Sequence, residues 1–310
     1  MLLKPRQIVP LPRQQRLPIR KSVTISIGFR FSGGFLLCSD SHYTIGAMKV
    51  VGRKVFRAAI GQDRMIFGIA GTVPYGKMFI EKLIPQIAAI PEEGRTKTAI
   101  RWKVESWLLK FYKKHVFPHP FFQREGGPDF NLLVGTWSHL DGLDCFSTSE
   151  TTTTDINDYE CIGYGQDVAR LAIQGMFRHR YLSLDDAVNV AVHVLRETKE
   201  NVTYCGGANQ FAFLKKDGDM GSGYRLETSQ AEKISSSFAL CIKNLYLFVA
   251  SPDTTDEQMN QQLEYTVTMI KAIRESAFQE KPTTILTGKP DDEEELKKQE
   301  KLYHPPDFVV

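Results

Sequence analysis

Five cysteines are spread over the 310 residues, Cys38, Cys145, Cys161, Cys205 and Cys241, and no C-x-x-C occurs among them. An odd number at such spacing makes neither a disulfide framework nor a zinc knuckle. It implies reduced, mostly buried thiols and an intracellular, cytoplasmic protein. No apolar run approaches the roughly 18 residues that span a bilayer, so no membrane partner is expected. The G-x-S-x-G elbow of serine hydrolases is absent. His115 and His119 stand four apart, but Pro118 and Pro120 keep a helix from presenting both to a metal. Gly163-Tyr164-Gly165, between a strand and a helix, has the outline of a phosphate-binding turn, yet lacks the third glycine and any Lys-Ser/Thr. No metal and no cofactor are therefore expected, and there is no internal repeat.

Charge is also scarce as a guide. The formal net charge is +3, and six of the 39 Lys and Arg residues fall in residues 1–21, which carry no acid. The rest of the chain is left with 33 basic against 36 acidic residues, a balance that gives no reason to expect a nucleic-acid partner. Residues 1–21 also hold Pro5, Pro10, Pro12 and Pro18 and no apolar core, which excludes a signal peptide and leaves a disordered leader or a removable propeptide.

What is present is organised around residues 22–71. From Val23 to Phe31 the odd positions are Val23, Ile25, Ile27, Phe29 and Phe31, and the even ones Thr24, Ser26, Gly28 and Arg30. A period of two predicts a strand with one face buried. Ser32-Gly33-Gly34 closes a hairpin onto Phe35-Leu36-Leu37-Cys38, which reaches Ser39-Asp40-Ser41. Further strands are predicted at Arg53 to Ala58 and Met65 to Ile69, giving a four-stranded meander.

The period then changes. Phe79, Leu83, Ile87 and Ile90, and again Ile100, Val104, Trp107, Leu108 and Phe111, predict two helices. Strands follow at Phe130 to Trp137 and Leu143 to Ser149, then a polar run from Thr151 to Asp158 and a short strand at Tyr159 to Ile162. After the Gly163 turn a helix shows Val168, Leu171, Ala172 and Met176 on one face. Ser183 with Asp186 opens another, with Leu184, Val188, Ala191 and Leu195 along it. Phe211 to Leu214 alternates again before the turn at Lys216-Asp217-Gly218. Strands, two helices, strands, two helices, strand is an α+β order, with helices covering both faces of stacked sheets. A last amphipathic helix is expected through Met259, Leu263, Val267, Ile270 and Ile273. The domain reading is a leader at 1–21, one domain at 22–280 with a helical part from about 229, and a charged tail at 281–310.

Thr24, Asp40 and Lys54 stand at or near strand ends in the opening stretch. Each alone reads as an ordinary polar strand, turn or surface residue. Together with their surroundings they resemble a known family. TISIGFRFSGGFLLCSDS is similar to the start of a mature proteasome β-type subunit, where a threonine opens the first strand and a glycine hairpin leads to Asp-Ser. The similarity continues through Gly46, Lys54-Val55-Phe56, Ile69-Ala70-Gly71, Ile162-Gly163-Tyr164-Gly165 and Cys205-Gly206-Gly207, covering about residues 23–218.

The resemblance implies the four-layer αββα sandwich of the N-terminal-nucleophile hydrolases and a threonine peptidase acting on peptides or unfolded protein. It also implies assembly into a ring-type homo-oligomer. By match, Thr24 is the nucleophile with its own α-amine as base, Lys54 its electrostatic partner, Asp40 the lysine's partner and Gly71 an oxyanion donor. Four positions depart from the family pattern, one of them Cys205, which stands where the family has the serine of its Ser-Gly-Gly. Val23 stands where precursors carry glycine, and its β-branch disfavours the turn for self-cleavage. Gln166 replaces a serine, and Val202, which cannot relay a proton, replaces an aspartate. Activity thus requires a cut before Thr24. The alternative is a non-catalytic structural or interaction protein on the same fold.

Overall fold

A computed structural model describes residues 24–45, 48–120, 122, 128–174, 182–224, 236–237, 241, 243, 245, 254–279 and 308–309. The leader, Val23, Gly46, Met176 and most of the expected tail lie outside them. Two sheets carry the fold. The first has five strands in the order β10-β1-β2-β11-β12: β1 (Ile25–Phe31), β2 (Gly34–Asp40), β10 (Tyr159–Gly163), β11 (Asn209–Lys215) and β12 (Met220–Tyr224). The second contains β5 (Val55–Ile60), β6 (Asp63–Gly71), β7 (Phe130–Ser138), β8 (Gly142–Ser149) and β9 (Thr152–Asp155) in sequence order. These ladders are antiparallel. The two-residue β13 (Phe308–Val309) adds to β5 in parallel. A separate hairpin, β3 (His42–Ile45) with β4 (Met48–Val51), links the sheets.

Three apolar clusters give the layering. Helices α1 (Val73–Ala88) and α2 (Lys97–Phe111) pack Phe79, Leu83, Val104 and Phe111 onto the second sheet. Helices α3 (Gln166–Gln174) and α4 (Leu184–Asn201) pack Ala169, Ile173, Val188 and Leu195 onto the first. Between the sheets lie Phe35, Leu37, Ile66, Leu133, Ala212 and Leu214. The result is the four-layer αββα sandwich. A further helix, α5 (Asp256–Gln279), lies near the C-terminal end of the described residues. Among the described residues no helix is long and apolar enough to cross a membrane.

The opening strand has no wet face. Its odd residues Ile25, Ile27 and Phe29 face α3 and α4, whereas Ser26 and Gly28 face the second sheet. Ser26 donates to the Ile69 carbonyl at 2.8 Å, and a Cβ on Gly28 would lie 2.6 Å from the Phe35 ring. Small residues on that face let the sheets approach; solvent has no part in it. The expected four-stranded meander is likewise two hairpins, β1-β2 and β5-β6, one in each sheet, because β3 and β4 carry the chain across. On α3 the buried residues are Ala169 and Ile173, with the expected Val168 and Ala172 packed partly buried beside them, whereas Leu171, expected on the same face, is 70 % exposed. The run after Thr151 contains strand β9, and the turn at Gly218 leads into β12.

Candidate active site

Asp40 is the last residue of β2, Lys54 ends the buried connector between β4 and β5, and Thr24 lies just ahead of β1. Thr24 was expected within the strand. The β1–β10 ladder ends at Ile25↔Gly163, and Gly163 then turns away at φ +104°, so Thr24 has no strand partner there. The turn still touches it: a Cβ on Gly163 would lie 2.3 Å from the Thr24 carbonyl oxygen, which also accepts from the Gly165 N–H at 3.5 Å. Only glycine meets both demands, positive φ and close backbone approach.

The three side chains meet, and each is fully buried. The Lys54 ammonium donates to Asp40 Oδ1 at 2.5 Å, to Thr24 Oγ1 and to the His42 carbonyl. Three N–H groups thus find three acceptors, and none is left over. The Thr24 hydroxyl in turn donates to Asp40 Oδ1 at 3.1 Å. Asp40 also accepts the Ile25 N–H at 3.2 Å and, on Oδ2, the Gly206 N–H at 2.9 Å. The Gly206 carbonyl accepts from Ser41 and His42 N–H, which locks the Cys205-Gly206-Gly207 loop against the end of β2. Gly206 and Gly207 are needed there, since a Cβ on either would sit within 2.7 Å of His42 or Ser41 side-chain atoms.

Burial pushes the Lys54 pKa down, opposed by the charge and hydrogen bond of Asp40. It also lowers that of His42, against the pull of Asp40 and with Lys49, Lys54 and Lys199 adding to the decrease. Burial pushes the Cys205 thiol up to about 12, so it holds its proton.

Gly71 ends β6 at φ +90°, paired with Phe130, and next to Ala70, which faces Gly163. The hydrogen bonds of the Thr24 cluster do not include it. Val202 caps α4 and packs in the apolar cluster beneath the first sheet, and Gln166 opens α3. The His42 carbonyl and the Gly206 and Ile25 N–H groups were missed from sequence, because backbone partners leave no residue-type signal. Among the described residues no cluster of His, Cys, Asp and Glu could hold a metal ion.

Chemically, a hydroxyl between an ammonium and a carboxylate is polarised but not deprotonated. An ammonium in this place can stabilise an alkoxide but cannot take the hydroxyl proton. A stronger base beside Oγ1 is required, and a free α-amine on Thr24 would be one.

Residues 21–214 match the family described as Proteasome subunit. No curated protein matches the chain. Among solved structures it is similar to Anbu (ancestral beta-subunit) from Yersinia bercovieri, at 14 % identity and TM-score 0.60, covering 75 % of this chain and 99 % of that one. The Helical Assembly of the Anbu Complex from Pseudomonas aeruginosa matches at 12 % identity and TM-score 0.62, with 74 % and 99 % covered. Anbu from Hyphomicrobium sp. strain MC1 matches at 10 % identity and TM-score 0.62, with 74 % and 100 % covered. At these identities the likeness is one of fold.

Proposed function

The chain belongs to the proteasome-subunit family, and from that premise we propose that it is a latent N-terminal threonine peptidase, armed by a cut between Val23 and Thr24. The observation that carries the reading is the buried Thr24–Asp40–Lys54 contact. A buried ion pair is weak support for stability, because desolvation offsets most of its attraction. Its persistence beside a hydroxyl therefore favours a chemical role. Once cut, the Thr24 amine takes the hydroxyl proton as Oγ1 attacks the scissile carbonyl, and passes it to the leaving amine. Lys54 and Asp40 hold the charge balance, and the Gly71 N–H serves the oxyanion. Water then hydrolyses the ester. The substrate class is peptide or unfolded protein, in the cytoplasm, with no nucleic acid or membrane involved.

Anbu from Pseudomonas aeruginosa is described as a helical assembly, and we extend assembly to this chain as a homo-oligomer larger than a dimer. A second reading, a non-catalytic subunit, is favoured by Val202, whose side chain is part of an apolar cluster and relays no proton. Peptide hydrolysis by three forms separates the two: the full-length chain, a form beginning at Thr24, and Thr24→Ala in that form. Activity is expected only in the second. Hydrolysis that survives Thr24→Ala would falsify the nucleophile assignment. Intact mass of the purified protein reads the cut directly.

A further inference from the structure

Lys54 is held at its ammonium by Thr24, Asp40 and His42, and its carbonyl accepts the Ile69 N–H of β6 at 2.9 Å, but its N–H is taken by a side chain and not by a strand. The connector Gly52-Arg53-Lys54 is buried, and its polar groups need partners that a strand neighbour would ordinarily supply. One side chain serves two of them, and a third on Val55 at the start of β5. Gln210 Oε1 accepts the N–H of Lys54 at 2.8 Å and of Val55 at 3.3 Å, and its Nε2 donates to the Gly52 carbonyl at 2.7 Å. Gln210 is 2 % exposed and lies on β11, opposite Ser39, one step from the Asn209↔Asp40 pair. It is thus anchored in the sheet that bears Asp40, and it grips the segment that delivers the lysine. Only a side chain with acceptor and donor at this reach can do so. Glutamate lacks the donor, and asparagine is one methylene too short.

We propose that Gln210 is a positioning residue that sets the Lys54 ammonium against Asp40 and the Thr24 hydroxyl. For catalysis the inference rests on Thr24 being the nucleophile; for the geometry of Lys54 it does not. The test uses full-length protein with 15N-labelled lysine, the Lys54 signal being assigned by its loss in Lys54→Met. A buried ammonium with three acceptors exchanges its protons slowly. Gln210→Met, of similar length and without polar ends, is expected to speed that exchange by about tenfold, the effect of losing one or more buried hydrogen bonds. Gln210→Glu keeps the acceptor for the Lys54 N–H and should fall between. In the form beginning at Thr24, Gln210→Met should lower kcat with little change in KM and move the midpoint of the kcat–pH profile. An exchange rate unchanged in both variants overturns the proposal. If Gln210→Met does not fold, Gln210→Glu alone decides by the same criterion. Absence of hydrolysis by the unsubstituted Thr24-start form sinks the nucleophile reading, and the ammonium signal still judges Gln210.

Discussion

At Lys54 burial and pairing pull in opposite directions. Desolvation lowers its pKa, and Asp40 raises it back only in part. The unfolded chain, near 10.4 for an ordinary lysine, therefore holds its proton to higher pH than the folded one. Between those two values stability rises with pH, and below both the charged lysine is a penalty that Asp40 limits. Replacing Asp40 by Asn removes that limit and leaves a buried charge unpaired. Urea unfolding of Asp40→Asn at pH 7 is expected to lose about 3–5 kcal/mol. The double variant Asp40→Asn/Lys54→Met should lose less than the two singles summed. Additive losses would mean that the pair does not interact in solution. His42 gives the acid-side counterpart. Its lowered pKa keeps the imidazole neutral in the fold while the unfolded chain protonates near pH 6.5. Stability should fall as pH drops through that value, toward the folded pKa. His42→Asn should flatten that part of the curve, measured by unfolding between pH 7 and 5.

At the scale of elements, the turn from β10 into α3 bears most directly on Thr24. Gly163→Ala meets positive φ and the Thr24 carbonyl at once. The strain alone is worth about 1–3 kcal/mol, so a drop in melting temperature is expected, with loss of any Thr24-dependent hydrolysis. A fully stable Gly163→Ala would mean that the turn yields at this position without strain. The start of α4 is a milder case. Ser183 accepts from the Asp186 N–H and Asp186 returns a bond to the cap, so Ser183→Ala should cost about 1 kcal/mol. That capping box was legible in the sequence, as were the main helices and most strands of the two sheets, because each rests on local spacing. What periodicity did not carry is which side of a strand meets what. Alternation in β1 looked like one wet face, yet Ser26 and Gly28 meet a second sheet whose presence depends on residues forty positions away. Leu171 misled for a similar reason: in nine helical residues the stripe can be read one residue too wide, and the core takes Val168, Ala169, Ala172 and Ile173 while Leu171 falls outside it. Within the site, the Thr24, Asp40 and Lys54 types were readable only through family resemblance. Gln210 was invisible because an amide that binds backbone looks like any polar residue on a strand.

For the whole molecule the question is what covers its outer helices. The αββα stack buries one face of each, and single exposed apolar side chains elsewhere are ordinary. Trp102 is less so: it is 63 % exposed on α2, and Leu109, seven residues on and so on the same side, is 41 % exposed. On the opposite outer layer Leu171 of α3 is 70 % exposed, and Tyr164 in the β10–α3 turn is 60 % exposed. Large apolar groups on both outer layers fit heterologous contacts, in which one copy presents a different surface from the one it receives; such contacts close into rings or run on as helices. Light scattering at micromolar concentration is expected to give a mass above that of a dimer. Trp102→Glu and Leu171→Glu should each lower that mass while leaving the unfolding transition of the subunit near its original position, since neither side chain is in the core. A monomer from the unsubstituted protein would remove the assembly. Oligomers indifferent to both substitutions would place the contacts on other surfaces of the sandwich.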